Sequence, residues 1–325
     1  QIKRDEIECF IQGFFQGQEK IKLPPQIGES LDVLEDLAGM FAGIVNIPKK
    51  AHESEDEIKG FLLGLKEKGE SSGEVSALVD EMYVHSVPLP ITDRAVDPVG
   101  TGGDGFNTIN ISTAAAIVTV AAGARVVKHG NRAASSKSGS ADVLEALGIN
   151  VGLSAGAIVE TVRKIGIGFA FAPNFHPAMR FAAPVRRALG TPTIFNILGP
   201  LTNPAGATIQ ALGVYDGNLT EVMARVLIHL GTQHCFVVHG MDGLDEITLT
   251  DRTRVSEGKA GVVSSYFIEP EEFGLQRVKM KELAGGSAEE NAQITKDILK
   301  GRKGPKQDIV CLNAAPVFVA SGKAK

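Results

Sequence analysis

The sequence predicts an α/β protein with a small N-terminal helical domain and a larger α/β domain, whose mostly parallel central sheet is flanked by helices. Three observations predict it. Residues 1–90 carry apolar side chains at three- and four-residue spacing, with no alternating or β-branched run. Beyond Pro88 and Pro90, short apolar strands alternate with helices, the pattern of βα units. That rhythm breaks off over residues 176–205 and then resumes.

In chain order, helices are expected in LDVLEDLAGMFAGIV, EIKGFLLGLKEKG and SGEVSALVDEMYVHSV, with Gly69 and Ser72 as boundary signals. Strands and helices then alternate through AVDPV, STAAAIVTVAAGA, RVVKHG, SADVLEALG, INVGL, AGAIVETVRKIG and GFAFAP, so that INVGL reads as a strand. The stretch from His176 to Pro204 is helical at first and then punctuated by Gly and Pro. The alternation returns with IQALGVY, NLTEVMARVLIHLG and CFVVHG, and the tail holds the helix AEENAQITKDILKG and an apolar stretch. The expected division is residues 1–94, with 176–205 returning to them, as the helical domain, and 95–175 with 206–325 as the α/β domain.

Composition excludes several classes of function. The chain has 325 residues, 43% hydrophobic and 22% charged, with a formal net charge of -5. No run of ~18 uncharged apolar residues is present, so no membrane span is expected. The opening QIKRDEIECF lacks the apolar core of a secretory signal. Cys9, Cys235 and Cys311 are too scattered for a disulfide framework or a metal cluster, and a cytoplasmic location is expected. With 33 basic against 38 acidic residues there is no general nucleic-acid footprint, so an anion site has to be local.

Glycine is in excess, at 37 residues against a usual ~7%. Its densest cluster is Gly-Thr-Gly-Gly-Asp-Gly at 100–105, between a strand and a helix. Gly100, Gly102 and Gly105 satisfy the dinucleotide fingerprint G-x-G-x-x-G. That reading fails downstream, where Arg125 to His129 stand in place of the acidic ribose ligand. It also leaves Asp104 unexplained. What survives is an anion nest of backbone N–H groups at a helix start, crowded by Asn110, Ser112 and Thr113. A second loop, Lys128 to Ser140, combines two Lys, one Arg, four Ser and two Gly ahead of another helix. Alone, either loop also fits a plain tight turn or a solvated surface loop. On adjacent βα units, the two suggest one ligand with more than one phosphate.

GTGGDGFNTINIST (100–113), KHGNRAASSKSGSADVLEALG (128–148), the segment from Phe175 to Ala205 and GLDEITLT (243–250) together resemble the anthranilate phosphoribosyltransferases. The resemblance implies a homodimer with substrates in a cleft between a helical and an α/β domain. It assigns Gly100, Gly103, Asp104, Thr108, Asn110, Ile111, Ser112 and Thr113 to phosphoribosyl pyrophosphate. Lys128, His129, Gly130, Asn131, Arg132, Ala133, Ala134, Ser135, Ser136 and Ser140 continue that site. Asn131 and Arg186, bordered by Gly100 and His129, are implied for anthranilate, and Ser112, Asp245 and Glu246 for Mg²⁺. The chemistry agrees: a guanidinium suits a carboxylate, and an Asp-Glu pair suits Mg²⁺ shared with phosphates. His176 is a weaker candidate for the aromatic pocket, and no general base is evident. The alternatives are a pyrimidine nucleoside phosphorylase and a non-catalytic nucleic-acid-binding protein of the same fold. Neither membrane nor nucleic acid is expected as a partner.

Overall fold

The computed structural model describes Gly39, Phe41 and residues 55–91, 94–133, 136–180 and 182–324. The expected helix at 31–45 lies almost wholly outside these residues. Helix α1 (Glu55–Lys68) and helix α2 (Ser72–Val84) follow the predicted spacing. The cap of α2 is Ser71, one residue before the predicted Ser72. The Ser71 hydroxyl accepts from Glu74 N–H while the Glu74 carboxylate accepts from Ser71 N–H, a capping box.

The α/β part begins with β1 (Val96–Gly100), α3 (Ile111–Ala121) and β2 (Val126–Gly130). It continues with α4 (Ser140–Ala146), α5 (Ala155–Ile165) and β3 (Ile167–Phe171). Residues 149–153, expected as a strand, form the connection between α4 and α5 instead. Gly148 at φ +87° ends α4, the Asn150 side chain accepts from Gly152 N–H, and Ser154 caps α5. Buried Val151 accounts for the apolar look of this loop.

Three helical pieces follow: α6 (Ala172–Phe175), α7 (Ala182–Leu189) and α8 (Ile194–Leu201). A 3₁₀ turn at Pro177–Arg180 precedes α7. Next come β4 (Ile209–Gly213), α9 (Leu219–His229) and β5 (His234–Gly240). Two strands that periodicity did not reveal, β6 (Thr253–Lys259) and β7 (Val262–Ile268), then pair antiparallel. The apolar tail is a helix: α10 (Ala288–Leu299) is followed by α11 (Pro305–Ala320), which packs on α3 and β4.

The seven strands form one sheet in the order β3-β2-β1-β4-β5-β6-β7. The first five are parallel, and β5 to β7 are antiparallel. From β1 the chain winds outward to β2 and β3, then crosses back to β4 on the other side. The crevice at the carboxyl ends of β1 and β4 is therefore a topological switch point, where open α/β sheets bind ligands. At the opposite rim, Gly123, Gly166, Gly206 and Gly231 turn the chain into β2, β3, β4 and β5 with φ between +59° and +89°. Leu62, Leu78, Ile194 and Ile197 of the helices share one buried cluster with Leu212, Val214, Met223 and Val237. Phe41 joins them at 0% exposure.

Candidate active site at the switch point

The loops after β1, β2 and β5 converge there on a cavity of about 560 Å³, the size of a small-ligand pocket. Every described residue of the expected site lines it: the donor residues from Gly100 to Thr113 and from Lys128 to Ser140, together with Arg186, Asp245 and Glu246. Ala134 and Ser135 fall outside the described residues. Ile111 and Thr113 have buried side chains.

The glycine loop takes its shape from Gly102, Gly103 and Gly105, at φ +66°, +84° and +76°. An L side chain is strained in that region. The Asp245 carboxylate ties the loop down by accepting from Gly102 N–H at 2.6 Å. Glu246 accepts from Ser112 N–H at 3.1 Å, at the N-terminus of α3, where the helix dipole favours a carboxylate. Asn110 stands at the N-cap position of α3, but its side chain makes no capping bond.

Lys128 is buried among these groups. Its Nζ donates to Pro98 O at 2.7 Å and to Ser112 Oγ at 3.4 Å. Burial pulls its pKa below the usual lysine range, opposed by Asp97, Glu246 and Asp245. Burial also pushes Asp104 up, and it lifts Asp245 well above the ordinary range, with repulsion from Asp104 and Glu246 adding to the rise. Glu246 is raised to about 7, chiefly by burial, with Lys128 opposing. Asp97, Asp245 and Glu246 act on the single Lys128, with Asp104 beside Asp245, a surplus of acidic groups that a divalent cation would relieve. Among the described residues no three acidic, histidine or cysteine side chains form a protein-only metal cage. The hard carboxylate oxygens of Asp245 and Glu246 suit Mg²⁺ held jointly with substrate phosphates.

The second loop is braced from α4. The Asp142 carboxylate accepts from Ala133 N–H and Gly139 N–H, at 3.0 and 2.9 Å. Arg132 donates to Asp142 and Glu145 and stacks over Phe171. Its guanidinium is thus paired on α4, a bracing role that the sequence did not indicate.

At the wall expected to take anthranilate, Arg186 of α7 sits over the Phe195 ring of α8, 5.2 Å from the centroid. The His129 and His176 rings lie 5.1 Å apart. His129 Nδ1–H donates to Gly199 O at 3.0 Å, and His176 Nε2–H donates to Thr202 O at 2.8 Å. The carbonyl partners fix these tautomers. Burial drives both imidazoles down, His129 to about 3 and His176 to about 4. Both are therefore neutral at pH 7. Among the described residues, His129 Nε2 and His176 Nδ1 meet no hydrogen-bond partner.

Two buried residues to which the sequence assigned no role hold this wall. Asp97, fully buried and raised to about 6 by desolvation, accepts from His129 N–H at 3.4 Å and from Asn203 Nδ2 at 2.8 Å. Asn203 also donates to Val127 O.

The depressed histidines imply a pH effect on stability. A group whose folded pKa lies below its unfolded value stabilises above the unfolded pKa, and loses that contribution as pH falls toward the folded one. His129→Gln should therefore narrow its stability gap to the parent between pH 6.5 and pH 4. Melting temperatures of both proteins across that range test this, and a gap that widens on acidification contradicts it.

Comparison with known proteins agrees with this geometry. The model of a glycosyl transferase family, a/b domain, matches residues 92–325. The anthranilate phosphoribosyltransferase of Methanosarcina acetivorans is 56% identical over 270 residues, covering 82% of this chain and 73% of the relative. The crystal structure of that enzyme from Thermus thermophilus superposes with a TM-score of 0.82 at 41% identity, covering 98% of this chain and 89% of that one. The Saccharomyces cerevisiae enzyme in complex with PRPP and Mg gives 0.78 at 28% identity, covering 99% and 90%. By family model, sequence identity and superposed fold alike, the chain belongs to the glycosyl transferase family and, within it, to the anthranilate phosphoribosyltransferases.

Proposed function

We infer that the chain transfers the phosphoribosyl group of 5-phosphoribosyl 1-pyrophosphate to the amine of anthranilate, releasing pyrophosphate, a step of tryptophan biosynthesis. One observation carries the reading: two phosphate-sized loops, an acidic pair and an aromatic-backed guanidinium open into a single cavity. The loops supply backbone N–H groups and Lys128 to the donor's phosphates, while Arg186 takes the acceptor's carboxylate bidentately. An arylamine is a weak nucleophile, so the protein acts by holding the amine in line with the leaving group. The neutral imidazoles of His129 and His176 add no charge to the acceptor wall.

Ser112, Asp245 and Glu246 would hold Mg²⁺. When bound with the donor, the ion supplies Lewis-acid neutralisation of the charge growing on pyrophosphate. The proposed division assigns residues 1–94 and 176–205 to a helical domain and the remainder to a donor-binding α/β domain. Arg186 and Phe195 come from the inserted helices and the phosphate loops from the sheet, which supports it. We read the working form as a cytoplasmic homodimer, on the family resemblance. No helix among the described residues is long and apolar enough to cross a membrane.

Pyrophosphate release with both substrates, and with each omitted in turn, tests the activity. Release that does not require anthranilate contradicts it. Arg186→Ala should raise the anthranilate KM by roughly 10- to 100-fold, the value of a hydrogen bond to a charged group, with the donor KM within about twofold. Arg186→Lys should recover only part of the loss, because an ammonium cannot reproduce the fork. Equal rises in both KM values count against this role.

A further inference from the structure

Helix α10 belongs to the C-terminal tail, and its Asn291 is 1% exposed and does not line the cavity. Its Nδ2 donates to Asn110 Oδ1 at 2.9 Å, across 181 residues of sequence. Asn110 Nδ2 in turn donates to Ser138 O at 3.0 Å. The two amides form a relay that starts on α10, crosses the N-terminus of α3 and ends on the second phosphate loop. Asn110 thus spends both ends of its amide on holding two loops in register.

The surrounding backbone gives the relay a fixed base. Asn291 Oδ1 accepts from Gly286 N–H at 2.8 Å. Gly285 N–H donates to Asn107 O, and Ile109 N–H donates to Leu283 O. Thr108 and Ala284 form an isolated antiparallel bridge. A Cβ on Gly285 would lie 2.5 Å from both Asn291 Oδ1 and Thr108 O, so the segment 283–286 lies directly against the first loop. A buried amide with donor and acceptor both engaged is expensive to disturb. Asn110 and Ser138 both line the cavity.

We propose that Asn291 is a positioning residue for the phosphoribosyl donor, acting through Asn110 to lock the glycine loop to the second phosphate loop. This rests on the activity inferred above, so wild-type turnover with both substrates is measured first; its absence overturns that activity and leaves the relay to be judged by donor binding in calorimetry. Asn291→Ala removes both side-chain hydrogen bonds and is expected to raise the donor KM about tenfold, the order of the bond to Asn110, and to leave the anthranilate KM within about twofold. A general loosening of the fold would move both.

The effect should vanish in an Asn110→Ala background, because a residue that acts only through Asn110 is not additive with it. Asn291→Asp covers the case in which the alanine variant does not fold. It keeps the volume and the acceptor for Gly286, and loses the donor to Asn110. Were the Asn110 amide to flip and satisfy that carboxylate, Ser138 O would lose its donor, so a selective rise in the donor KM is still expected. An unchanged donor KM in a folded variant, equal rises for both substrates, or full additivity with Asn110→Ala overturns the proposal.

Discussion

Replacing Asp245 and Glu246 together with alanine is expected to lower kcat by about 10³-fold, roughly 4 kcal/mol of transition-state stabilisation, and to abolish the dependence of the rate on Mg²⁺. The two side chains do more than offer oxygens to a metal. Asp245 fixes Gly102 N–H and Glu246 fixes Ser112 N–H, so their loss also frees the glycine loop and the start of α3. The ligand-free protein should respond in the opposite sense at high pH. Glu246 titrates at about 7 in the folded state, above its unfolded value, so its contribution is intact below the unfolded pKa and disappears as pH rises through 7. The variant lacks that decline. A magnesium titration of initial rates, with melting curves at pH 5 and pH 8, tests both statements. An unchanged titration removes Asp245 and Glu246 from the metal site.

Gly213→Ala should be nearly as damaging, for a reason of packing. A Cβ at this position would stand 1.6 Å from Asp245 O and 2.4 Å from Asp245 C. Both atoms are backbone, and β4 is clamped between β1 and β5, so no flexible side chain can give way. Either β4 is displaced or the Asp245–Glu246 peptide moves by about 1 Å or more, and a misplacement of that size costs on the order of 10²-fold in rate. Overpacking adds about 1–3 kcal/mol of destabilisation. Gly156→Ala is the control: it lies in α5 with nothing within 4 Å of its would-be Cβ, and should gain up to ~1 kcal/mol. Urea unfolding and kcat/KM on both variants test this. Activity of Gly213→Ala within about threefold of the parent would show that the loop tolerates the shift.

The parallel half of the sheet was legible because each strand from β1 to β5 is a short apolar run next to a helical period, and these are local patterns. Strands β6 and β7 were not, because TRVSEGK has a single apolar side chain, the Ser pair splits VVSSYFI, and both follow the last βα unit. INVGL misled because one buried valine within a glycine-punctuated loop looks like an apolar run. The two loops that line the cavity, 100–113 and 128–140, were readable as contiguous motifs, and so was the 245–246 pair. The residues that brace them were not. Asp97 meets Asn203 across 106 positions and Asn291 meets Asn110 across 181, and a lone buried polar residue shows nothing in sequence until its partner is beside it. Arg132 was visible as a charge, but its pairing was not, because Asp142 and Glu145 sit one helix further on.

The four glycine turns that lead into β2, β3, β4 and β5 all lie at the rim away from the cavity. Chemistry and chain reversal thus occupy opposite ends of the same strands. For anyone who wishes to tether this enzyme to a surface or attach a fluorescent reporter, the exposed Gly123 and Gly231 mark where a linker can leave the molecule with the substrate mouth facing solution.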